Sequence, residues 1–181
     1  MKRLECGHPD IALLEPTVFG DHRGFVYESW NARQFAKLGL EMAFVQDNHS
    51  KSAKNILRGL HYQLKHPQGK LVRAISGSVF DVAVDLRRGS PRFGQWIGTE
   101  LSASNKHMLW VPPGFAHGFL SLEDDTQLVY KCTDFYDPAN ERSIIWNDPD
   151  IGIEWPDLGE KPQLSDKDAH GTLFATADVY P

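Results

Sequence analysis

The stretch KLVRAISGSVFDVAVDL, Lys70 to Leu86, decides the fold class. Two runs rich in apolar and β-branched residues, LVRAI and VFDVAV, stand on either side of Ser-Gly-Ser. Each has strand length and strand composition, and the small residues between them are a turn signal. The pattern predicts a β-hairpin turning at Gly77. Within FDVAVDL, Phe80, Val82 and Val84 share one face, while Asp81, Ala83 and Asp85 share the other. The first face is expected to pack as core. The second is polar at both ends, and two readings of it stay open. On an outer surface it is unremarkable; lining the inside of a barrel, it places carboxylates behind a catalytic base.

Working outward, strand-like runs recur at 12–19, 24–30, 42–48, 57–63, 95–101, 107–111, 118–122 and 127–135. They are separated by GDHRG, LKHPQG, RRGSPRFG, VPPG and YDPANE, all turn-forming. Helical pattern is scarce. NARQFAKLG fits one short helix capped by Asn31 and stopped by Gly39, and SDKDAHG fits a helical turn near the C-terminus. Many short strands and little helix in 181 residues predict an all-β protein, a jelly-roll barrel forming a single domain over 1–181. It would carry an N-terminal strand region and a C-terminal helical segment.

The formal charge of −5 argues against nucleic acid or an anionic membrane as a partner, since either needs a basic face. It leaves room for one small anion held by local arginines and lysines. Two cysteines, Cys6 and Cys132, are too few for a disulfide framework and lack metal-site spacing. No apolar run has signal-peptide or transmembrane length, so a cytoplasmic location is expected.

Three segments could carry chemistry. In RGLHYQ, Leu60 and Tyr62 suit a buried face, and alternation puts His61 on the opposite one. A lone strand histidine is more often structural than catalytic. Arg58 lies three residues earlier, so a regular strand points it away from His61; both reach one ligand only if the chain is irregular at Gly59. In QLVYKC, Leu128, Tyr130 and Cys132 share a face, and such a tyrosine is usually a core residue with a partnered hydroxyl. In WVPPGFAHGF, Pro112, Gly114 and His117 resemble the second motif of cupins, whose histidine binds metal in many members. The earlier cupin H-x-H is here His61-Tyr62-Gln63, and one imidazole with a carboxamide is a poor divalent-metal site. A barrel without metal is expected.

Taken in order, RGLHYQ, QGKLVRAISGSVFDVAVDLRRGSPRFGQW, WVPPGFAHGFL, LVYKCTDFYDPANERSIIWNDPDIGIEWP and LSDKD resemble the dTDP-4-dehydrorhamnose 3,5-epimerases over nearly the whole chain. The resemblance implies a cupin-type jelly roll, a homodimer often formed with N-terminal strand exchange, and no metal or organic cofactor. It implies a thymidine diphosphate 4-keto-6-deoxyhexose as substrate, inverted at C3 and C5 on the way to dTDP-rhamnose. It puts the base at His61, paired with Asp168, the acid at Tyr130, and Lys70 at the keto oxygen. It puts Arg23, Glu28, Gln46, Asp47, Asn48, Arg58, His117, Glu141 and Lys167 at substrate contacts. Among Phe19, Phe25, Tyr136 and the tryptophans, sequence does not choose the one that stacks on the base.

The chemistry suits these residue types. A C–H bond beside a ketone is acidic because its carbanion delocalises as an enolate. One group must take the proton, one must steady the oxyanion, and one must return a proton from the other face. Imidazole, with a reference pKa near 6.5, is an available base; phenol, near 10, keeps its proton to donate. Two alternatives remain at this stage. One is a relative inverting a single centre; the other is a non-catalytic sugar-nucleotide binder, which would need neither base nor acid.

Overall fold

The structure is a computed structural model and describes residues 1–181. Thirteen strands form two large antiparallel sheets and one small hairpin. The first sheet has six strands in the order β1 (Lys2–Leu4), β2 (Ala12–Glu15), β10 (Met108–Val111), β7 (Lys70–Ser76), β12 (Thr126–Cys132) and β5 (Gln46–Ser52). The second has five: β13 (Glu141–Ser143), β6 (Leu57–Gln63), β11 (Phe115–Ser121), β8 (Ser78–Asp85) and β9 (Trp96–Ser102). The sheets face each other as a cupin-type jelly roll. The hairpin, β3 (Phe19–Asp21) with β4 (Gly24–Val26), joins neither sheet.

The segment 70–86 forms two strands, but not a hairpin. β7 pairs with β10 and β12, whereas β8 pairs with β11 and β9, so the chain crosses from one sheet to the other at Gly77. The reason is length. Only Gly77 separates the strands, and an antiparallel hairpin needs at least about two loop residues. Gly77 turns the corner with φ +65°, and a Cβ there would lie 2.3 Å from Thr126 Oγ1. Alternation identifies both strands but is blind to which sheet each joins.

Three apolar layers hold the barrel. Val72, Ala74, Val79, Ala83, Leu101, Leu109, Phe119 and Leu128 fill one end of the space between the sheets. The outer face of the five-stranded sheet packs Leu60, Val82, Val84 and Ala116 against Ile144, Ile151 and Ala177 of the C-terminal segment. The outer face of the six-stranded sheet packs Leu14, Leu71, Met108 and Trp110 against Phe35 and Leu40. Phe35 lies on helix α1 (Ala32–Lys37), whose N-terminal amides of Arg33 and Gln34 donate to the Asn31 side chain. Because the C-terminal segment covers Val82 and Val84, β8 is buried on both faces, and Asp81, Ala83 and Asp85 point between the sheets. That settles the question left open by FDVAVDL in favour of the interior.

Candidate active site

The interior of the barrel is apolar at one end and polar at the other. Leu60 and Tyr62 of β6 face the outer layer, so His61 points inward. Its Nε2 lies 2.5 Å from Asp168 Oδ1. An ionised carboxylate only accepts, so the ring donates from Nε2, and Nδ1 carries the free lone pair. Asp168 sits on the single-turn helix α2 (Asp166–Ala169), whose N-cap Ser165 accepts from the Asp168 amide. Burial alone would raise the Asp168 pKa, but its bonds to His61 and Ser165 bring it below the usual aspartate value.

The expected irregularity at Gly59 is present. Gly59 has φ +126°, and the β6–β11 register shifts between His117 and Phe119. A Cβ at Gly59 would stand 2.5 Å from Gly118 Cα, so the two backbones approach too closely for any side chain there. Arg58 thereby reaches Ser52 Oγ at 3.1 Å on the facing sheet, near enough to Tyr130 for its charge to lower that phenol's pKa.

The opposite wall supplies Lys70 from β7, Tyr130 and Cys132 from β12, and Gln46 and Asn48 from β5. Register aligns them: Tyr130 opposes Asn48, and Cys132 opposes both Gln46 and Lys70. Asn48 Nδ2 donates to Cys132 Sγ at 3.6 Å. Burial pushes the Tyr130 pKa up and Cys132 adds to this, while Arg58 and Asn48 oppose it; the net is a phenol that holds its proton more firmly than usual. Burial lowers the pKa of Lys70, with Cys132, Asp81 and Glu141 pulling it back up and Lys167 lowering it.

At the rim, Glu141 accepts from Lys167 Nζ at 2.5 Å and from the Tyr136 hydroxyl at 2.7 Å. Burial raises Glu141, but those two bonds bring its pKa below normal, with the charge of His61 assisting. Glu141 in turn helps to raise the pKa of Lys70 and Tyr130 on the opposite wall. His117, cross-strand from His61, donates from Nε2 to Asp81 Oδ1 at 2.8 Å. His61, Lys70, His117, Tyr136 and Glu141 line one cleft. No group of three or more His, Cys, Asp or Glu side chains converges in metal-binding geometry.

Three expected contacts are not brought to this cleft. Asp47 alternates with Gln46 and Asn48, so it points to the outer face and pairs there with Lys131 at 2.8 Å. A strand cannot send three consecutive side chains to one side. Arg23 lies on the separate hairpin, paired with Asp21 and exposed. Glu28 follows that hairpin and accepts from Asn31 Nδ2. Two features of the site escaped the sequence reading. The link from Tyr136 through Glu141 to Lys167 joins loop, strand and helix, so only the fold creates it. Cys132 beside Lys70 depends on the β7–β12 pairing. Of the two aspartates in FDVAVDL, Asp81 backs His117, whereas Asp85 is bound by Arg87 and Ser90, and neither touches His61.

Comparison with known proteins adds to the geometry. Residues 5–176 match the family model described as dTDP-4-dehydrorhamnose 3,5-epimerase. The enzyme of that name from Pseudomonas aeruginosa is 57% identical, with 100% of each chain covered. The crystal structure of a dTDP-6-deoxy-D-glucose-3,5-epimerase from Legionella pneumophila, in complex with dTDP-4-keto-L-rhamnose, superposes with a TM-score of 0.94 at 50% identity, covering 98% of this chain and 94% of that one. At greater distance, a 3'-monoepimerase from Streptomyces bikiniensis, in complex with dTDP-quinovose, gives a TM-score of 0.88 at 36% identity, covering 97% and 88%.

Proposed function

The chain belongs to the dTDP-4-dehydrorhamnose 3,5-epimerase family, and on that premise we propose how its own residues perform the reaction. It is an isomerase that converts dTDP-4-dehydro-6-deoxy-D-glucose to dTDP-4-dehydro-L-rhamnose in rhamnose biosynthesis. The observation that carries the assignment of roles is the placement of an imidazole and a phenol on facing sheets of one barrel, with a half-buried ammonium on the phenol's wall.

His61 Nδ1 takes the proton from carbon, and the C–H electron pair becomes the enolate. Asp168 fixes the tautomer and stabilises the imidazolium that forms. The negative charge moves to the C4 oxygen, where Lys70 steadies it. Tyr130 then gives its phenolic proton to the same carbon from the opposite face, and solvent restores both groups. C3 and C5 both flank the ketone, so one constellation serves both centres. Only protons move, so these side chains suffice for the chemistry.

Arg58, Gln46, Asn48, His117, Glu141 and Lys167 surround the same space and hold the nucleotide sugar, the cations answering its diphosphate. The exposed ring of Tyr136 at the rim is the platform for the base. Arg23 and Glu28 serve the cleft of a second copy, in a homodimer. The supporting observations are the unpaired β3–β4 hairpin, exposing Phe19, Phe25 and Val26, and the open edge of β5 beside Asn48. Residues 1–181 work as one jelly-roll domain, in the cytoplasm; no helix is long and apolar enough to cross a membrane.

Because a monoepimerase shares the scaffold, the number of centres is tested directly. Incubation with the substrate in D₂O, followed by NMR, is expected to place deuterium at both C3 and C5. Exchange at one carbon alone makes this a single-centre enzyme, and exchange at neither makes it a binder.

A further inference from the structure

Gln63 stands where the cupin H-x-H pattern has its second histidine, and the proton transfers leave it without a task. It follows His61 by two residues on β6, so both side chains point to the same side of the strand and line the same cleft. Gln63 is only 4% exposed, and its whole amide is committed. Nε2 donates to the His66 carbonyl at 2.8 Å and to the Phe135 carbonyl at 3.2 Å, while Oε1 accepts from the Asp137 amide at 2.9 Å. Two carbonyls and one N–H fix which amide atom is which. Two of these three bonds flank Tyr136 in the loop between β12 and β13. The Tyr136 amide itself donates to Gln46 Oε1 at 2.9 Å on the facing sheet, and Gln68 Nε2 donates to the Asp134 carbonyl at 2.8 Å. In register, Gln63 lies opposite Glu141, whose carboxylate accepts from the Tyr136 hydroxyl at 2.7 Å.

We propose that Gln63 is a positioning residue for the nucleotide site: its side-chain amide pins the loop between β12 and β13 so that Tyr136 presents its ring at the rim of the cleft. This rests on the reading that Tyr136 is the platform for the base. Tyr136 is 53% exposed and its neighbour Phe135 is exposed too, so packing does not orient the ring. Hydrogen bonds do, at the backbone on both sides of it and at its hydroxyl. The count of bonds also explains the residue type. A carboxamide donates twice and accepts at its oxygen, which matches the three partners; an imidazole has two ring nitrogens and leaves one partner unmet. The position that carries a histidine in the cupin pattern is here a clamp that reaches from the floor of β6 to the loop at the rim.

The test is a double-mutant cycle of Gln63→Met and Tyr136→Ala, read as dTDP affinity by calorimetry and as turnover. Gln63→Met keeps the reach of the side chain and removes all three bonds. The expected result is native circular dichroism, with Kd for dTDP and KM both raised about tenfold. The rate kcat should stay within about twofold of wild type, since Gln63 bonds none of His61, Lys70 and Tyr130. Tyr136→Ala should weaken dTDP binding by about tenfold or more. Adding Gln63→Met to it should cost nothing further, because the clamp then has no ring to present. Additive losses would make Gln63 a general brace of the rim and overturn the inference, as would a lower thermal midpoint with Kd and KM unmoved. Wild-type dTDP affinity in Tyr136→Ala ends the reading of Tyr136 as the platform. Weak binding there beside normal binding in Gln63→Met removes only the role of Gln63. Should Gln63→Met not fold, Gln63→Glu takes its place in the cycle: it keeps the Asp137 bond, loses both donated ones, and is judged by the same outcomes.

Discussion

Two histidine–aspartate pairs stand side by side in the barrel, His61–Asp168 and His117–Asp81, with the histidines in register across β6 and β11. Their chemistry is alike and their surroundings are not. The His61 side chain keeps 28% of its surface exposed, against 9% for His117. Asp168 comes from a helical turn laid against the sheet, whereas Asp81 comes from the next strand of the sheet itself. The accessible pair can meet a C–H bond and shed its proton to solvent. The enclosed pair can only hold an imidazole in one orientation beside a buried carboxylate. Access, rather than the pairing of imidazole with carboxylate, separates a base from a scaffold.

The sharpest way to break this comparison is to exchange the losses. His61→Asn should reduce deuterium exchange into the sugar by roughly 10²–10⁴-fold, the usual worth of a positioned base, while dTDP binding persists. Robust turnover in this variant would remove His61 from its role. His117→Ala should instead leave proton abstraction in place and be felt in stability and in substrate affinity. It strands Asp81 without its partner, and breaking a buried pair costs about 3–5 kcal/mol, readable as a lower urea midpoint. Equal destabilisation by His61→Ala and His117→Ala would erase the distinction between the pairs.

A finer contrast comes from pH. The Asp168 pKa is depressed in the folded state, so its contribution is fully present above the unfolded value near 3.9 and is lost as pH falls through the lower, folded value. Wild type should therefore exceed Asp168→Asn in stability by a constant margin at neutral pH. That margin should shrink once the pH drops below about 4. A margin independent of pH would mean that Asp168 acts by packing alone. The smallest effect is expected at Asp47→Ala, whose exposed pair with Lys131 lies on the outer face: stability within about 0.5 kcal/mol and unchanged turnover. A large loss of activity would return Asp47 to the site.

Much of this was legible in the sequence, for reasons that the particular residues make plain. Alternation in RGLHYQ put Leu60 and Tyr62 on one face and His61 on the other, and β6 spans Leu57–Gln63 as expected. The three-residue gap from Arg58 to His61 predicted an irregularity at Gly59, and the bulge is there. Asn31 caps α1 where cap chemistry said it would, and SDKDAHG holds the helical turn expected of it. What failed is what local pattern does not encode. Gly77 reads as a turn in either case, and only the number of residues between the strands distinguishes a corner from a hairpin. Asp47 was carried in with its neighbours, although strand parity turns its side chain to the outer face. The outer layer that turns Asp81 inward is built by Ile144, Ile151 and Ala177, far along the chain. Short β1 and β13 carry too few residues to show a period.

The most direct test of the opposed-wall mechanism is Tyr130→Phe, followed in D₂O for both loss of the substrate C–H and appearance of inverted product. With the phenol as the donor on the far face, proton loss to His61 should continue while net inversion lags well behind it. If the two fall in parallel, Tyr130 only shapes the cavity, and protonation must come from elsewhere.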